Sequence, residues 1–225
     1  MKKDFTKIVF VFDKSGSMVS IARDMIGGFN SFVDNQRLVK GMCTVTLHQF
    51  DDIYETTYNN VNISDVVKLT SDTYKPRGST ALLDAVGKTI NDLGKELSDL
   101  KEKDRPEKVI IVIITDGEEN ASKEFTSENI KAMIQHQTEV YKWQFTFLGA
   151  NQDSWSTGEA LGIAGNNTLN YQSTGVNASV SSKAMWASLS NTTACFRSNV
   201  CTDMSYSDSD RDIQDKLTKK TNQDS

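Results

Sequence analysis

The chain alternates short runs of consecutive apolar residues with longer segments in which apolar residues recur every three or four positions. Residues 8–12 and 109–114 are the two clearest runs, and both are rich in Val, Ile and Phe. Such runs are typical of parallel strands buried on both faces. Further strands are predicted at residues 144–148 and 168–171.

Helical periodicity predicts an amphipathic helix after most of these strands. The predicted helices cover residues 21–40, 82–100, 127–141, a short stretch around 159–161, and 180–196. Two polar-apolar stretches at residues 43–50 and 53–59 are joined by Asp51 and Asp52, which indicates a hairpin. One strand of that hairpin must therefore run antiparallel.

This order of elements predicts a doubly wound α/β fold. We expect a mostly parallel six-stranded sheet, one antiparallel edge strand, and helices on both faces. One domain is expected over residues 1–198. Residues 199–225 are rich in Ser, Asp and Lys, so a loose polar tail is predicted there.

Composition narrows the function classes. A chain of 225 residues suits one α/β domain, and its net charge of −5 disfavours nucleic acid or an anionic membrane as the partner. No segment approaches the roughly 18 apolar residues of a membrane span. The cysteines, Cys43, Cys195 and Cys201, form no CxxC pair, so we expect reduced thiols in a cytoplasmic protein.

Oxygen-bearing side chains lie at three places, each just after a predicted strand or just before a predicted helix. Asp13, Ser15 and Ser17 come directly after the first strand, residues 78–80 precede a helix, and residues 116–120 follow the strand at 109–114. Loops at the carboxyl ends of parallel strands meet at one edge of the sheet, where ligands bind. Oxygen is the donor that Mg²⁺ and other hard cations prefer.

These three segments resemble a known family. Asp13-x-Ser15-x-Ser17, Thr80 after Arg77-Gly78-Ser79, and Thr115-Asp116-Gly117 look like the metal-ion-dependent adhesion site of von Willebrand factor A (VWA) domains. The likeness runs from about residue 7 to residue 171. It is closest to stand-alone VWA proteins of bacteria and their phages.

The resemblance implies a divalent-cation site and a role in protein binding. Ser15, Ser17 and Thr80 would bind Mg²⁺ through their hydroxyls, with Mn²⁺ or Ca²⁺ as alternatives. Asp13 and Asp116 would bind the ion directly or through water. An Asp or Glu side chain from a protein partner would complete the coordination, and no catalytic residue is implied.

Other interpretations stay open at this stage. Ser15, Ser17 and Thr80 are also ordinary helix N-cap residues, and an ion at this edge could be purely structural. A metal-dependent phosphohydrolase or phosphotransferase with Asp13 as nucleophile is the enzymatic alternative, although Ser15 stands where that chemistry needs a second acid. His48 lies in a predicted strand and His136 on a helix, so both are expected to be structural or exposed.

The loops that carry the predicted ligands also carry candidates for partner selection. Trp155 and Arg77 are the first candidates, because Trp and Arg are favoured interface anchors. Lys14 carries a charge beside the site, and we expect its side chain to be directed away from the ion. The remaining candidates in these loops are Met18, Glu118, Glu119, Asn120 and residues 151–154.

Overall fold

The computed structural model describes residues 1–150 and 154–223, the last five of these by backbone alone. The strands are β1 (Lys2–Asp13), β2 (Met42–Phe50), β3 (Tyr54–Asn62), β4 (Pro106–Thr115), β5 (Gln144–Ala150) and β6 (Thr168–Tyr171). The helices are α1 (Ala22–Arg37), α2 (Leu82–Asp99), α3 (Ser127–Tyr141), α4 (Ser154–Ala160), α5 (Ala178–Arg197) and α6 (Asp208–Gln223). Among these helices, none is long and apolar enough to cross a membrane.

The strands form one six-stranded sheet in the order β3-β2-β1-β4-β5-β6. All neighbouring strands are parallel except β2 and β3, which form an antiparallel hairpin at one edge. The predicted fold class is therefore confirmed. Two local differences are β1, which begins at Lys2 instead of residue 8, and α4, which begins at Ser154 instead of near residue 159.

The central strand β1 buries side chains on both faces of the sheet. Ile8, Phe10 and Phe12 pack in a core with residues of α1 and α5. Val9 and Val11 point the other way, into a second core formed with α2 and α3. Burying a side chain of this size contributes about 1.5–3 kcal/mol. The helices on the two faces therefore fix the position of β1 and of its last residue, Asp13, at the carboxyl edge of the sheet.

The register of the parallel strands aligns their carboxyl ends. Phe12 of β1 is paired with Ile114 of β4, and Ile114 is paired with Leu148 of β5. The next residues, Asp13 and Thr115, therefore leave the sheet at the same edge. The loops that follow β1 and β4 start side by side.

The prediction of a loose tail is wrong for the part of it that the structure describes, residues 199–223. Met204 and Tyr206 are buried in the core, and the Tyr206 hydroxyl lies 2.8 Å from Thr146 Oγ1 on β5. The helix α6 is polar, and hydrogen bonds of Asp210 and Gln214 join it to α5. Gln214 is buried and accepts a hydrogen bond from Ser181 Oγ at 2.5 Å. The prediction failed because it relied on the low hydrophobicity of this segment. The segment is held in place by few apolar contacts and many hydrogen bonds.

The prediction of reduced cysteines is also wrong for one pair. Cys195 and Cys201 form a disulfide, with their Cα atoms 5.3 Å apart, while Cys43 is free and buried. The chain reverses after α5 through Asn199 in the left-handed region (φ 59°), and the Cys201 amide donates to the Cys195 carbonyl. This turn brings the two sulfurs together. A disulfide weakens the cysteine argument for a cytoplasmic location.

The buried histidine is structural. His48 Nδ1 lies 2.9 Å from Thr56 Oγ1, and its ring stacks on Tyr54 with 4.8 Å between centroids. Burial, helped by the nearby charge of Lys7, lowers the pKa of His48 to about 4. The protonated form is therefore disfavoured in the folded state.

The pKa of His48 predicts an acid-sensitive stability. An unfolded histidine takes up a proton near pH 6.5, but folded His48 does so only near pH 4, so the free energy of unfolding should fall as pH drops between these values. The loss should reach about 3 kcal/mol. Urea denaturation from pH 7 to pH 4 of wild-type protein and His48→Phe tests this. Parallel pH profiles for the two proteins would contradict it.

The buried C-terminal segment predicts that truncation destabilises the fold. A chain ending at Ser198 loses the burial of Met204 and Tyr206, each worth about 1.5–3 kcal/mol. Its denaturation midpoint should fall well below that of a chain ending at Thr218, which keeps these contacts. Equal midpoints would show that the segment adds no stability.

Candidate metal centre

Three loops are tied together at the carboxyl edge of the sheet. They are the β1–α1 loop, the loop before α2, and the β4–α3 loop. The Gly16 amide donates to the Gly78 carbonyl at 3.1 Å, and the Arg77 amide donates to the Lys14 carbonyl at 2.7 Å. These backbone bonds hold two loops distant in sequence in a fixed relation.

The predicted hydroxyl ligands surround one small space. Ser15 Oγ and Ser17 Oγ are 3.0 Å apart, and Ser17 Oγ donates to Asp116 Oδ1 at 2.5 Å. A Cβ atom built on Gly117 would lie 3.0 Å from Thr80 Oγ1, 3.3 Å from Ser17 Oγ and 3.9 Å from Ser15 Oγ. The three hydroxyls and the Asp116 carboxylate therefore line a cradle that a glycine leaves open.

Asp13 lies behind this cradle. Its side chain is fully buried, with Oδ1 accepting from the Ser15 amide at 2.6 Å and Oδ2 accepting from Thr115 Oγ1 at 2.6 Å. Burial raises the pKa of Asp13 to about 6, although these hydrogen bonds oppose the shift. Both carboxylate oxygens are already engaged, so Asp13 is placed to orient the Ser15 loop and to balance a cation's charge.

The second carboxylate has a partner that sequence reasoning missed. Burial raises the pKa of Asp116, and hydrogen bonds from the hydroxyls of Ser17 and Ser173 oppose that shift. Ser173 follows β6, and its carbonyl accepts from Ser20 Oγ at 3.1 Å. The sequence signal that could have identified Ser173 was its position just beyond a parallel strand, because residues at such positions lie at the same edge of the sheet.

The capping interpretation does not account for two of the hydroxyls. Ser15 precedes a 3-10 turn, Gly16–Ile21, but its side chain makes no capping hydrogen bond. The N-cap residue of α2 is Ala81, not Thr80. By contrast, Thr126 forms a complete capping box at the start of α3. The hydroxyls of Ser15 and Thr80 therefore have no capping role.

The β4–α3 loop positions Thr80. The Thr80 amide donates to Asn120 Oδ1 at 2.9 Å, and the Asn120 amide donates back to the Thr80 carbonyl at 3.0 Å. Beside this pair, the Glu119 carboxylate accepts from the amides of Leu83 at 2.9 Å and Ser122 at 2.7 Å. Glu119 thus binds the protein itself, and Asn120 holds the backbone that presents the Thr80 hydroxyl.

The donor set fits a hard divalent cation. Two carboxylates and three hydroxyls supply oxygen alone, which suits Mg²⁺, Mn²⁺ or Ca²⁺. Within the described residues, no group of three or more His, Cys, Asp and Glu side chains is placed to hold a metal. The hydroxyls are therefore essential to any ion held here.

Comparison with known proteins identifies the family. The family model of the von Willebrand factor type A domain matches residues 7–181. The chain belongs to this family. No curated protein matches the sequence.

Solved structures similar to this VWA domain come from diverse organisms. A mussel byssus protein, proximal thread matrix protein 1 with a zinc-occupied MIDAS motif, aligns at 13% identity over 84% of this chain and 46% of its own, with a TM-score of 0.57. Manganese-loaded Plasmodium vivax TRAP aligns at 15% identity over 66% of this chain and 58% of its own, with a TM-score of 0.51. The vWF domain of the Porphyromonas gingivalis pilus tip protein Mfa5 aligns at 9% identity over 81% of this chain and 94% of its own, with a TM-score of 0.56.

These likenesses concern the fold. This chain spans less than half of the mussel protein, which is a longer molecule. Two of the three structures were determined with a divalent metal, zinc or manganese.

The charges beside the centre of this VWA domain are held in ion pairs. Lys14 is buried and its amine contacts the Glu55 carboxylate, with Asp51 Oδ2 at 3.8 Å. Arg77 donates to Asp51 Oδ2 at 2.9 Å and to Glu55 Oε1 at 3.3 Å. The Lys14 side chain is therefore directed toward β3, away from the hydroxyl cradle.

The other candidates for partner selection differ in how far they are exposed to solvent. Met18 is buried in the core and is not a surface residue. Glu118 is exposed, and Trp155 is 50% exposed with its ring 5.9 Å from the Arg211 guanidinium. Residues 151–153 lie outside the described residues.

The open cradle predicts that a methyl group at Gly117 impairs metal binding. Gly117→Ala places a Cβ 3.0 Å from Thr80 Oγ1, so the hydroxyls must spread and the affinity for Mn²⁺ should fall about tenfold. Gly94→Ala on α2 is the matched control, because a Cβ there meets nothing within 4 Å. Titration calorimetry measures both affinities. Unchanged Mn²⁺ affinity in Gly117→Ala would remove the cradle as the metal site.

Proposed function

We propose that this VWA domain is a non-catalytic, divalent-cation-dependent protein-binding module. The observation that supports it most strongly is the convergence of three hydroxyls and one carboxylate around the space beside Gly117. Ser15, Ser17 and Thr80 would hold Mg²⁺ there. Asp13 and Asp116 would bind the ion directly or through water, and a partner's Asp or Glu would complete the coordination.

Charge balance explains why such an ion would attract a partner. The carboxylates of Asp13 and Asp116 only neutralise the double charge of Mg²⁺, and the hydroxyl ligands add no charge. The ion therefore keeps an attraction for a third carboxylate from outside. A desolvated, charge-assisted contact of this type is worth about 2–5 kcal/mol when one member is removed.

The same geometry argues against the enzymatic alternative. A nucleophilic Asp13 must be reached by the substrate, but its side chain is fully buried behind the Ser15 loop, where it accepts hydrogen bonds from the Ser15 amide and Thr115 Oγ1. The position two residues on is Ser15, which cannot act as the general acid of a phosphohydrolase. These contacts favour a binding role for the site.

The nature of the partner follows from charge. The chain carries a net charge of −5, which disfavours the phosphate backbone of nucleic acid and the surface of an anionic membrane. A metal ion with an open coordination position instead offers a local site for an acidic group. A protein that presents one acidic side chain is the partner that fits.

A metal-dependent capture experiment tests this function. Wild-type protein in Mg²⁺, wild-type protein with a chelator, Thr80→Ala and Thr80→Ser are used to capture partners from a lysate of the source organism. Thr80→Ser keeps the ligand hydroxyl and should retain the partner, whereas Thr80→Ala and the chelator should release it. We expect at least a tenfold loss, since one ligand of the ion is removed.

The outcomes separate the alternatives. A partner retained equally in all four conditions would mean that the ion has only a structural role. In that case a chelator would lower the melting temperature without changing capture. A partner lost in Thr80→Ser as well as in Thr80→Ala would mean that the threonine methyl group, not the hydroxyl, makes the contact.

A further inference from the structure

A cavity with a polar lining, which we call the polar cavity, lies between the sheet and α2. Its volume is about 430 Å³, and its walls come from β1, β2, β3 and α2. Lys7, one of its lining residues, stands six residues before Asp13 on β1, which is about 20 Å at the rise of an extended strand. Cavities of roughly 300–1,000 Å³ hold small-molecule ligands. The polar cavity is therefore separate from the candidate metal centre and large enough for a ligand of its own.

The lining of the polar cavity is hydrophilic although much of it is buried. Eight of its ten residues are polar or charged, and the other two are Val9 and Leu93. On β2 the side chains alternate between the two faces of the sheet. Leu47 packs in the core beside α1, whereas Thr46 and His48 line the cavity and are only 3% and 7% exposed. Packing alone favours apolar side chains at such buried positions, so it does not explain this lining.

The most unusual lining residue is Lys7. Its side chain is 1% exposed, and its ammonium group donates to Glu96 Oε1 at 2.5 Å and to Asn60 Oδ1 at 2.9 Å. Burial lowers the pKa of Lys7, although Glu96 opposes the shift. A buried ion pair often contributes less stability than apolar side chains of the same volume. An ammonium group has three N–H donors, and the described residues accept from two of them.

The β2–β3 hairpin is distorted where it meets Lys7. The register of the two strands shifts on both sides of Leu47, and Asn60 has a left-handed backbone conformation (φ 52°). The Asn60 amide donates to Thr46 Oγ1 at 3.0 Å. Bulges of this kind re-aim side chains and are over-represented beside functional sites. Here the bulge accompanies the contact of the Asn60 side chain with the Lys7 ammonium group.

Other groups of the polar cavity keep unused hydrogen-bonding capacity. Besides its structural contact with Thr56 through Nδ1, His48 has a second ring nitrogen, Nε2, that no hydrogen bond from a described residue reaches. The Thr46 hydroxyl accepts from Asn60 and donates to no described residue. Asp92 on α2 is exposed and makes no hydrogen bond or ion pair with the described part of the chain. The cavity therefore offers both donors and acceptors.

Charge limits the class of ligand. The single positive charge of Lys7 faces the negative charges of Asp92 and Glu96, so the cavity disfavours a phosphate or a carboxylate. The ammonium group inside the cavity also disfavours an organic cation. His48, Asp92 and Glu96 are not placed together to hold a metal ion, since the described residues contain no such group. An apolar ligand would leave buried polar groups without partners. A neutral ligand that both donates and accepts hydrogen bonds fits best.

We propose that the polar cavity binds a neutral polyhydroxyl compound of monosaccharide size, a sugar in its pyranose form. Each sugar hydroxyl can donate and accept a hydrogen bond. Lys7 and the Asn60 amide group would donate to ring hydroxyls, and Asp92 and the second carboxylate oxygen of Glu96 would accept from them. This site is independent of the metal-dependent function and does not rest on it.

Sugar titrations followed by NMR test the inference. Isotope-labelled protein is titrated with glucose, galactose and mannose, each as the free sugar and as the terminal unit of a disaccharide. Inorganic phosphate and spermidine serve as the anionic and cationic probes. At least one sugar should bind with a Kd of about 1 mM, which is typical of a ligand with roughly twelve non-hydrogen atoms. Its addition should shift the amide resonances of Thr46 and Asn60 but not those of Ser15 and Ser17, and a chelator should leave the affinity unchanged.

Two pairs of variants locate the site. Lys7→Met should melt at the wild-type temperature or above, because an apolar side chain of similar length replaces a buried charge, yet its sugar affinity should fall about tenfold. Lys95→Met, at an exposed position on α2, should change neither property. Asp92→Ala should also lower the affinity about tenfold, whereas Asp99→Ala on the same helix, at another exposed position, should have no effect. If Lys7→Met fails to fold, the Asp92 and Asp99 variants decide the question.

The outcomes are distinct. Binding of free sugars alone would assign a free ligand, and equal binding of the disaccharides would assign the end of a glycan; both support the inference. It is overturned if no sugar binds, or if phosphate or spermidine binds more tightly than every sugar. Sugar affinity that is unchanged in Lys7→Met and in Asp92→Ala would place the binding elsewhere and would also overturn it. None of these results bears on the metal-dependent capture, which is tested at Thr80.

Discussion

The hydrogen bond from Thr115 Oγ1 to Asp13 Oδ2, 2.6 Å long, joins the ends of the two central strands. This bond forms because β1 and β4 are parallel, in register and buried on both faces. Asp13 and Thr115 therefore lie side by side at the same edge of the sheet. From this point the β1–α1 and β4–α3 loops diverge to carry the remaining donors. The arrangement of the candidate metal centre therefore depends on a constraint set by the core.

Two carboxylates lie close together at this edge, and burial disfavours the charge on both. Burial raises the pKa of Asp13 and of Asp116, and hydrogen bonds from hydroxyl or amide donors partly oppose each shift. Burial therefore disfavours two neighbouring negative charges at this edge. A divalent cation would offset this cost, so ion binding and stability are expected to be coupled.

The C-terminal segment contributes to the same edge from outside the family match. Gln214 of α6 accepts from Ser181 Oγ at 2.5 Å, and Ser181 Oγ accepts from the Gln172 amide at 2.8 Å. Gln172 precedes Ser173, which bonds to Asp116. A helix that resembles a polar tail in composition thus supports the loop behind a proposed metal ligand.

Local patterns by themselves determined the strands, most helices, the fold class and the three oxygen-bearing loops, and the resemblance to VWA domains then selected Asp13, Ser15, Ser17, Thr80 and Asp116 as candidates. These features depend on short-range periodicity and on residue chemistry next to strand ends, which are visible in the sequence. Only the tertiary structure decided the role of Ser173, the Cys195–Cys201 disulfide and the docking of α6. Each of these depends on contacts between distant segments, and such contacts form only when packing brings the segments together.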